Sequence, residues 1–123
     1  MKNVLLLALV VLGSAFAKAQ SLTAEDYIKA NYTKTIHQIE MRDGVKLYTH
    51  VYSPKDTSKE YPIMMQRTCY SVRPYGENTY PKRLGPNEIL MKEGYIFVYQ
   101  DVRGRWMSEG DFDNMRPNIP GND

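Results

Sequence analysis

The sequence has few side chains that could act as a nucleophile with a base beside them. Cys69 is the single cysteine, and His37 and His50 are the two histidines. A cysteine nucleophile needs a base and a group that orients it, but both histidines fall in segments whose pattern predicts strands. We therefore interpret Cys69 as a small, partly buried residue. One cysteine also excludes an intramolecular disulfide.

Ser108 matches a Gly-x-Ser-x-Gly nucleophile motif only on its C-terminal side. Gly110 stands two residues after it, whereas Trp106 stands two residues before it. The motif also requires a strand that leads into the serine and a helix that leaves it. Neither pattern surrounds Ser108, so we predict that it is not a nucleophile.

A metal site is not expected either. Asp111, Asp113 and Asn114 have some of the oxygen ligands of a calcium loop. Their spacing lacks the glycine and the terminal glutamate of that loop. A solvated loop is the better interpretation, and we expect no metal or other cofactor.

The first 19 residues have the pattern of a signal peptide. Lys2 supplies a positive charge, residues 4–12 are a run of Val, Leu and Ala, and Ala17 and Ala19 precede a cleavage site before Gln20. The apolar run is too short to span a bilayer of roughly 30 Å. An uncleaved anchor and a buried helix are the alternatives. The pattern favours secretion, to the exterior or to the periplasm.

Net charge and length further narrow the possible partners and the number of domains. The leader contains two of the 16 basic residues and no acid, which leaves 14 basic against 14 acidic residues in the mature chain. A net charge of zero gives no reason to expect nucleic acid or an anionic membrane as a partner. The length of 123 residues allows one domain at most.

The sequence predicts two short helices and four strands, in the order helix, three strands, helix, strand. Thr23, with an acid three residues later, predicts a helix that starts there and runs to about Tyr32. Asp43-Gly44 predicts a hairpin turn. The predicted strands are residues 36–41, 45–52, 62–67 and 95–99; residues 68–86 form a loop, and residues 87–93 form a helix closed by Gly94.

This order predicts an α/β fold whose sheet is incomplete. The apolar run at residues 95–99 is typical of a parallel strand buried on both faces, which needs further strands and helices around it. Residues 104–123 are polar and aperiodic and do not supply them. We therefore expect residues 20–123 to be the N-terminal portion of a larger α/β enzyme.

Three motifs resemble the opening of a known family. They are residues 41–47 (MRDGVKL), residues 67–70 (RTCY), and residues 94–105 followed by SEGDF at 108–112. From about Tyr27 to Pro120 the sequence resembles the serine hydrolases that include cocaine esterase, the α-amino acid ester hydrolases and the X-Pro dipeptidyl-peptidases. The resemblance implies an α/β-hydrolase fold with a Ser–His–Asp triad, and a chain that stops before the nucleophile.

The resemblance also implies roles for three residues. Tyr70 matches the tyrosine whose phenol contributes to the oxyanion hole, although Cys69 stands where the family usually has proline. Without the resemblance, Tyr70 is one of ten tyrosines. Asp101 and Arg103 match positions at the end of the buried strand, where we expect a structural charge pair near the site. No triad residue matches within this chain, since the family places all three further on.

Two classes of function follow. The first is the N-terminal fragment of a secreted serine hydrolase that cleaves ester or amide bonds of small molecules or short peptides. The second is a small secreted module that binds or supports without catalysis. A reading frame that continues past Asp123 into a Gly-x-Ser motif would favour the first class.

Overall fold

The computed structural model describes residues 22–114, which form two helices and four strands. The helices are α1 (Ala24–Asn31) and α2 (Glu88–Glu93), and the strands are β1 (Tyr32–Glu40), β2 (Lys46–Pro54), β3 (Ile63–Thr68) and β4 (Ile96–Asp101). Within these residues, neither helix has the length and apolar character that crossing a bilayer requires. The predicted signal peptide lies outside the described residues.

The two helices begin and end where local chemistry predicts. The Thr23 hydroxyl accepts from the Asp26 N–H at 3.2 Å, and the Asp26 carboxylate accepts from the Thr23 N–H at 3.1 Å. This reciprocal capping box satisfies backbone donors that have no partner inside the helix. Asn87 caps α2, and Gly94 ends it in the left-handed conformation with φ of 88°. The predicted start of α1 and the predicted close of α2 are both confirmed.

Strands β1 and β2 form the predicted antiparallel hairpin. Its turn is closed by the Gly44 N–H, which donates to the Met41 carbonyl at 2.9 Å. The hairpin is longer than the sequence pattern indicates, because β1 starts at Tyr32, directly after α1, and pairs with Pro54 at the far end of β2. The Tyr-Thr-Lys-Thr segment that opens β1 lacks an alternation of apolar and polar residues, so the sequence pattern does not indicate a strand there.

The sheet has the order β1-β2-β4-β3. Strand β4 lies antiparallel to β2 and parallel to β3. The parallel pair is joined by a crossover that contains α2, as the sequence predicts. Because β3 and β4 run in the same direction, the segments that follow Thr68 and Asp101 leave the sheet at the same edge.

One face of the sheet, here called the inner face, packs against both helices and the long loop. Its core comprises side chains from each of these parts. The buried members are Ile28, Tyr32, Tyr52, Leu84, Met91 and Phe97.

The opposite face, here called the open face, has no helix against it within residues 22–114. Apolar side chains from all four strands are partly or largely exposed on it: Ile39, Val51, Ile63, Met65, Ile96 and Val98. Strand β4 is therefore well covered on its inner face and only partly covered on its open face within the described residues, whereas the sequence predicts burial on both faces once further strands and helices surround it. Residues 95–99 have the apolar composition of a strand in the interior of a sheet. The residues that would cover the open face of this strand are not among those described.

Candidate functional site

Tyr70 lies two residues beyond the carboxyl end of β3, in the connection to α2. We call residues 69–87 the Tyr70 loop. The Tyr70 N–H donates to Thr68 Oγ1 at 3.0 Å, and the side chain is 85% exposed. Within residues 22–114, its phenol has no hydrogen-bond partner. The structure thus presents an unengaged O–H donor at the carboxyl edge of the sheet.

Asp101 fixes the part of the loop that follows Tyr70. Its side chain is fully buried at the end of β4. One carboxylate oxygen accepts from the Val72 N–H at 3.0 Å, and the other accepts from the Tyr75 hydroxyl at 2.9 Å. A buried carboxylate with two good donors is a strong anchor, so Asp101 holds the loop against β4.

The predicted charge pair between Asp101 and Arg103 is wrong. Arg103 instead forms an ion pair with Asp43 in the β1–β2 turn, with 2.7 Å between Nη1 and Oδ2. The chain turns directly after β4, where the Arg105 N–H donates to the Val102 carbonyl at 3.1 Å. This turn sends Arg103 towards the hairpin, where its guanidinium lowers the pKa of Asp43.

Lys34 is a second anchor of the Tyr70 loop. Its side chain is buried on the inner face, and Nζ donates to the carbonyls of Pro74, Gly76 and Thr79 at 2.7, 2.7 and 3.0 Å. Burial lowers the pKa of Lys34 to about 8, so the three-donor ammonium still predominates at pH 7. The sequence carries no signal for this contact, because its acceptors are backbone carbonyls.

His50 cannot serve as the base of the site in this arrangement. It is fully buried and packs edge-on against the rings of Tyr48, Tyr52 and Tyr75. Burial, with a smaller contribution from the charge of Lys34, lowers its pKa to about 4. Nε2 contacts the Tyr48 hydroxyl at 3.2 Å, and Nδ1 has no partner in the described chain. The ring is therefore neutral at pH 7 and bonded to neither Cys69 nor Ser108.

Ser108, His37 and Cys69 are the other residues that the sequence offers as a nucleophile or a base. The Ser108 hydroxyl donates to the Asp101 carbonyl and accepts from the Tyr48 N–H, both at 2.8 Å. Ser108 therefore bridges β2 and β4. His37 shares a hydrogen bond with the Thr35 hydroxyl on the exposed side of β1. Cys69 is a half-buried free thiol.

A cavity of about 180 Å³ opens between β3 and the Tyr70 loop, lined mainly by polar side chains that include Gln66, Ser71, Arg73 and Arg83. Tyr70 lies outside it. Across residues 22–114, no group of three His, Cys, Asp or Glu side chains could hold a metal ion. The geometry within residues 22–114 therefore presents an exposed phenol at this end of the sheet.

Comparisons with known proteins place this geometry. The model of the X-Pro dipeptidyl-peptidase (S15) family matches residues 43–120. A solved α-amino acid ester hydrolase, labelled with selenomethionine, matches with 30% identity and a TM-score of 0.61, over 86% of this chain and 18% of its own. No curated protein matches the sequence.

A second solved structure gives the same result. It is an aminopeptidase from the marine sediment archaeon Thaumarchaeota archaeon, with 30% identity and a TM-score of 0.60. The match covers 89% of this chain and 19% of that one. The chain thus spans about a fifth of the length of the structures that it matches, and the resemblance read from its three motifs is confirmed.

Proposed function

The chain belongs to the X-Pro dipeptidyl-peptidase (S15) family, and from this we propose that it is the N-terminal part of a secreted serine hydrolase. The family implies ester or peptide substrates in general. The hydrolase would cleave an α-amino acyl ester, another acyl compound or an X-Pro peptide through an acyl-enzyme. The chain by itself would be inactive, because it contains no Gly-x-Ser-x-Gly motif.

The observation that carries this proposal is the exposed phenol of Tyr70 at the carboxyl edge of the sheet, which has no hydrogen-bond partner among residues 22–114. Acyl transfer builds negative charge on the carbonyl oxygen of the substrate. An O–H donor held in place stabilises that charge without reorganisation during the reaction. The anchors at Lys34 and Asp101 restrain the loop that carries Tyr70, which favours this role over that of an ordinary surface tyrosine.

The reacting groups would come from outside the described residues. In the proposed mechanism a serine attacks the carbonyl carbon, and a histidine accepts its proton. Tyr70 and the backbone N–H after that serine donate to the oxyanion that forms. As the oxyanion collapses, the histidine gives its proton to the leaving alcohol or amine. Water then attacks the acyl-enzyme, with the same histidine as base, and releases the acid and the free serine.

The exposed edge of the sheet supports the proposal that this chain is part of a larger protein. Within residues 22–114, β3 has β4 as its one neighbour. Its outward side chains Ile63 and Met65 are 67% and 49% exposed on the open face. An exposed edge strand with apolar side chains is prone to aggregation unless other chain covers it. A further strand beside β3 and helices on the open face would complete the sheet.

Expression of the complete coding region, including whatever follows codon 123 in frame, tests the proposal. The product should hydrolyse a p-nitrophenyl ester or an X-Pro p-nitroanilide. A fluorophosphonate should label one serine downstream of Asp123, as located by peptide mapping. A product that neither turns over these substrates nor reacts with the fluorophosphonate would favour the alternative of a secreted module without catalysis.

A further inference from the structure

We propose that Trp106 is a positioning residue for Tyr70. The inference rests on the proposed role of Tyr70 and adds the group that aims its phenol. We call residues 102–112, which follow β4, the Trp106 segment. They leave the sheet beside the Tyr70 loop because β3 and β4 are parallel neighbours.

The contact is a single hydrogen bond next to Tyr70. The indole Nε1–H of Trp106 donates to the backbone carbonyl of Cys69 at 2.8 Å. On the other side, the Val72 N–H is held by Asp101. Tyr70 and Ser71 therefore lie between two anchored positions. Besides the Tyr70 N–H bond to Thr68 Oγ1, the bond from Trp106 is a restraint on the backbone from which the phenol projects, and its removal loosens that backbone.

The backbone conformation on both sides of this contact is unusual. Among the residues described, Ser71 and Trp106 are the non-glycine residues with positive φ, at 88° and 55°. Such conformations persist only where the surroundings enforce them, and they concentrate at functional sites. Hydrogen bonds within the Trp106 segment enforce the one at Trp106, since the Ser108 N–H donates to the Arg105 carbonyl at 3.0 Å.

Burial does not explain the placement of Trp106. Its side chain is 49% exposed, so it contributes little to the core. Two guanidinium groups contact the ring, those of Arg73 at 5.4 Å and Arg105 at 5.5 Å from the ring centroid. Arg73 belongs to the Tyr70 loop and Arg105 to the Trp106 segment, so the indole links the two and its orientation is fixed by both.

The first measurement is made on the full chain by NMR. Trp106 is the single tryptophan, so one indole N–H signal reports on it without ambiguity. The proposal predicts that this proton exchanges with solvent at least about tenfold more slowly than the indole of free tryptophan, because it is hydrogen-bonded. Trp106→Phe should accelerate amide exchange at Tyr70 and Ser71. Phe112→Leu, which alters another exposed ring on Arg105, should not.

The second measurement separates positioning from general stability in the complete hydrolase. Trp106→Phe should lower kcat about tenfold with KM nearly unchanged. Added to Tyr70→Phe, it should cause no further loss, because it acts through the phenol. An additive loss, or an indole that exchanges like free tryptophan, overturns the inference. A Tyr70→Phe variant with full kcat overturns the proposed role of Tyr70 and this inference with it, even where the indole is protected.

Discussion

Tyr70 is the residue on which the catalytic proposal depends. Tyr70→Phe removes the hydroxyl and keeps the ring. In the complete hydrolase it should lower kcat by about 10²–10³-fold with little change in KM, since the donor acts on charge that appears in the transition state. Steady-state hydrolysis of a p-nitrophenyl ester measures both constants.

The control for this variant is Tyr80→Phe. Tyr80 lies in the same loop but packs against the core, so its variant should stay within a few-fold of the parent. Tyr75 is not a suitable control, because its hydroxyl donates to Asp101. Full kcat in Tyr70→Phe together with a large loss in Tyr80→Phe would show that Tyr70 is not the tyrosine that matches the oxyanion-hole residue of the family.

His50 makes the stability of the described fold depend on pH. Its pKa of about 4 in the folded chain lies below the ordinary histidine pKa of 6.5. Between these values the unfolded chain binds a proton that the native chain excludes. The stabilisation is therefore complete above pH 6.5 and is lost as the pH falls to 4, at about 1.4 kcal/mol per pH unit.

Urea unfolding of the chain at several pH values between 4 and 6.5 measures this slope. His50→Phe should flatten it, because the buried titrating group is gone. His37→Asn should leave it unchanged, since His37 lies on the exposed side of β1. Equal slopes in the parent and in His50→Phe would mean that His50 does not exclude the proton.

The Trp106 segment depends on a glycine that no other residue can replace. Gly104 has φ of 68°, and a Cβ there would overlap the backbone nitrogen of Phe112. Gly44 has φ of 83° with nothing within 4 Å of its would-be Cβ. Gly44→Ala should therefore lose about 1–2 kcal/mol from backbone strain alone. Gly104→Ala should lose roughly 1–3 kcal/mol more from overlap.

Urea unfolding measures the stability lost in each glycine variant. Both glycines have positive φ, but only Gly44 has room for a Cβ atom. A larger loss in Gly104→Ala supports a tightly folded Trp106 segment. If the two variants lose the same stability, the segment opens without affecting the remainder of the fold, and its close packing is not needed for stability.

Helix ends and turns that are determined by neighbouring residues could be predicted from the sequence. The Thr23 capping box, the Asp43-Gly44 turn and the Gly94 helix end each depend on residues within a few positions of one another. The start of β1 could not be predicted, because Tyr32 becomes a strand residue through its pairing with Pro54. The strand order likewise depends on contacts between distant segments.

The site was predictable to a smaller extent. Nothing in the spacing of residues distinguishes Tyr70, and it became a candidate through the family resemblance. The partner of Asp101 was predicted as Arg103, because the two share a motif, whereas the true partners lie 29 and 26 residues away at Val72 and Tyr75. Long-range anchors to backbone groups leave no pattern in a single sequence.

For the molecule as a whole, secretion remains a prediction from the first 19 residues. Expressed in a Gram-negative host, the protein should be exported and should begin at Gln20 or at Lys18, because small residues precede both positions. N-terminal sequencing of the periplasmic fraction measures this directly. An intact Met1 form recovered from the cytoplasm would contradict it.

The central claim is that this chain is part of a serine hydrolase and lacks its nucleophile. The most direct test is p-nitrophenyl ester hydrolysis by the purified product that begins at Gln20 and ends at Asp123. We predict no turnover above the buffer background. Clear turnover that Ser108→Ala abolishes would contradict the account, since the nucleophile would then lie within the chain.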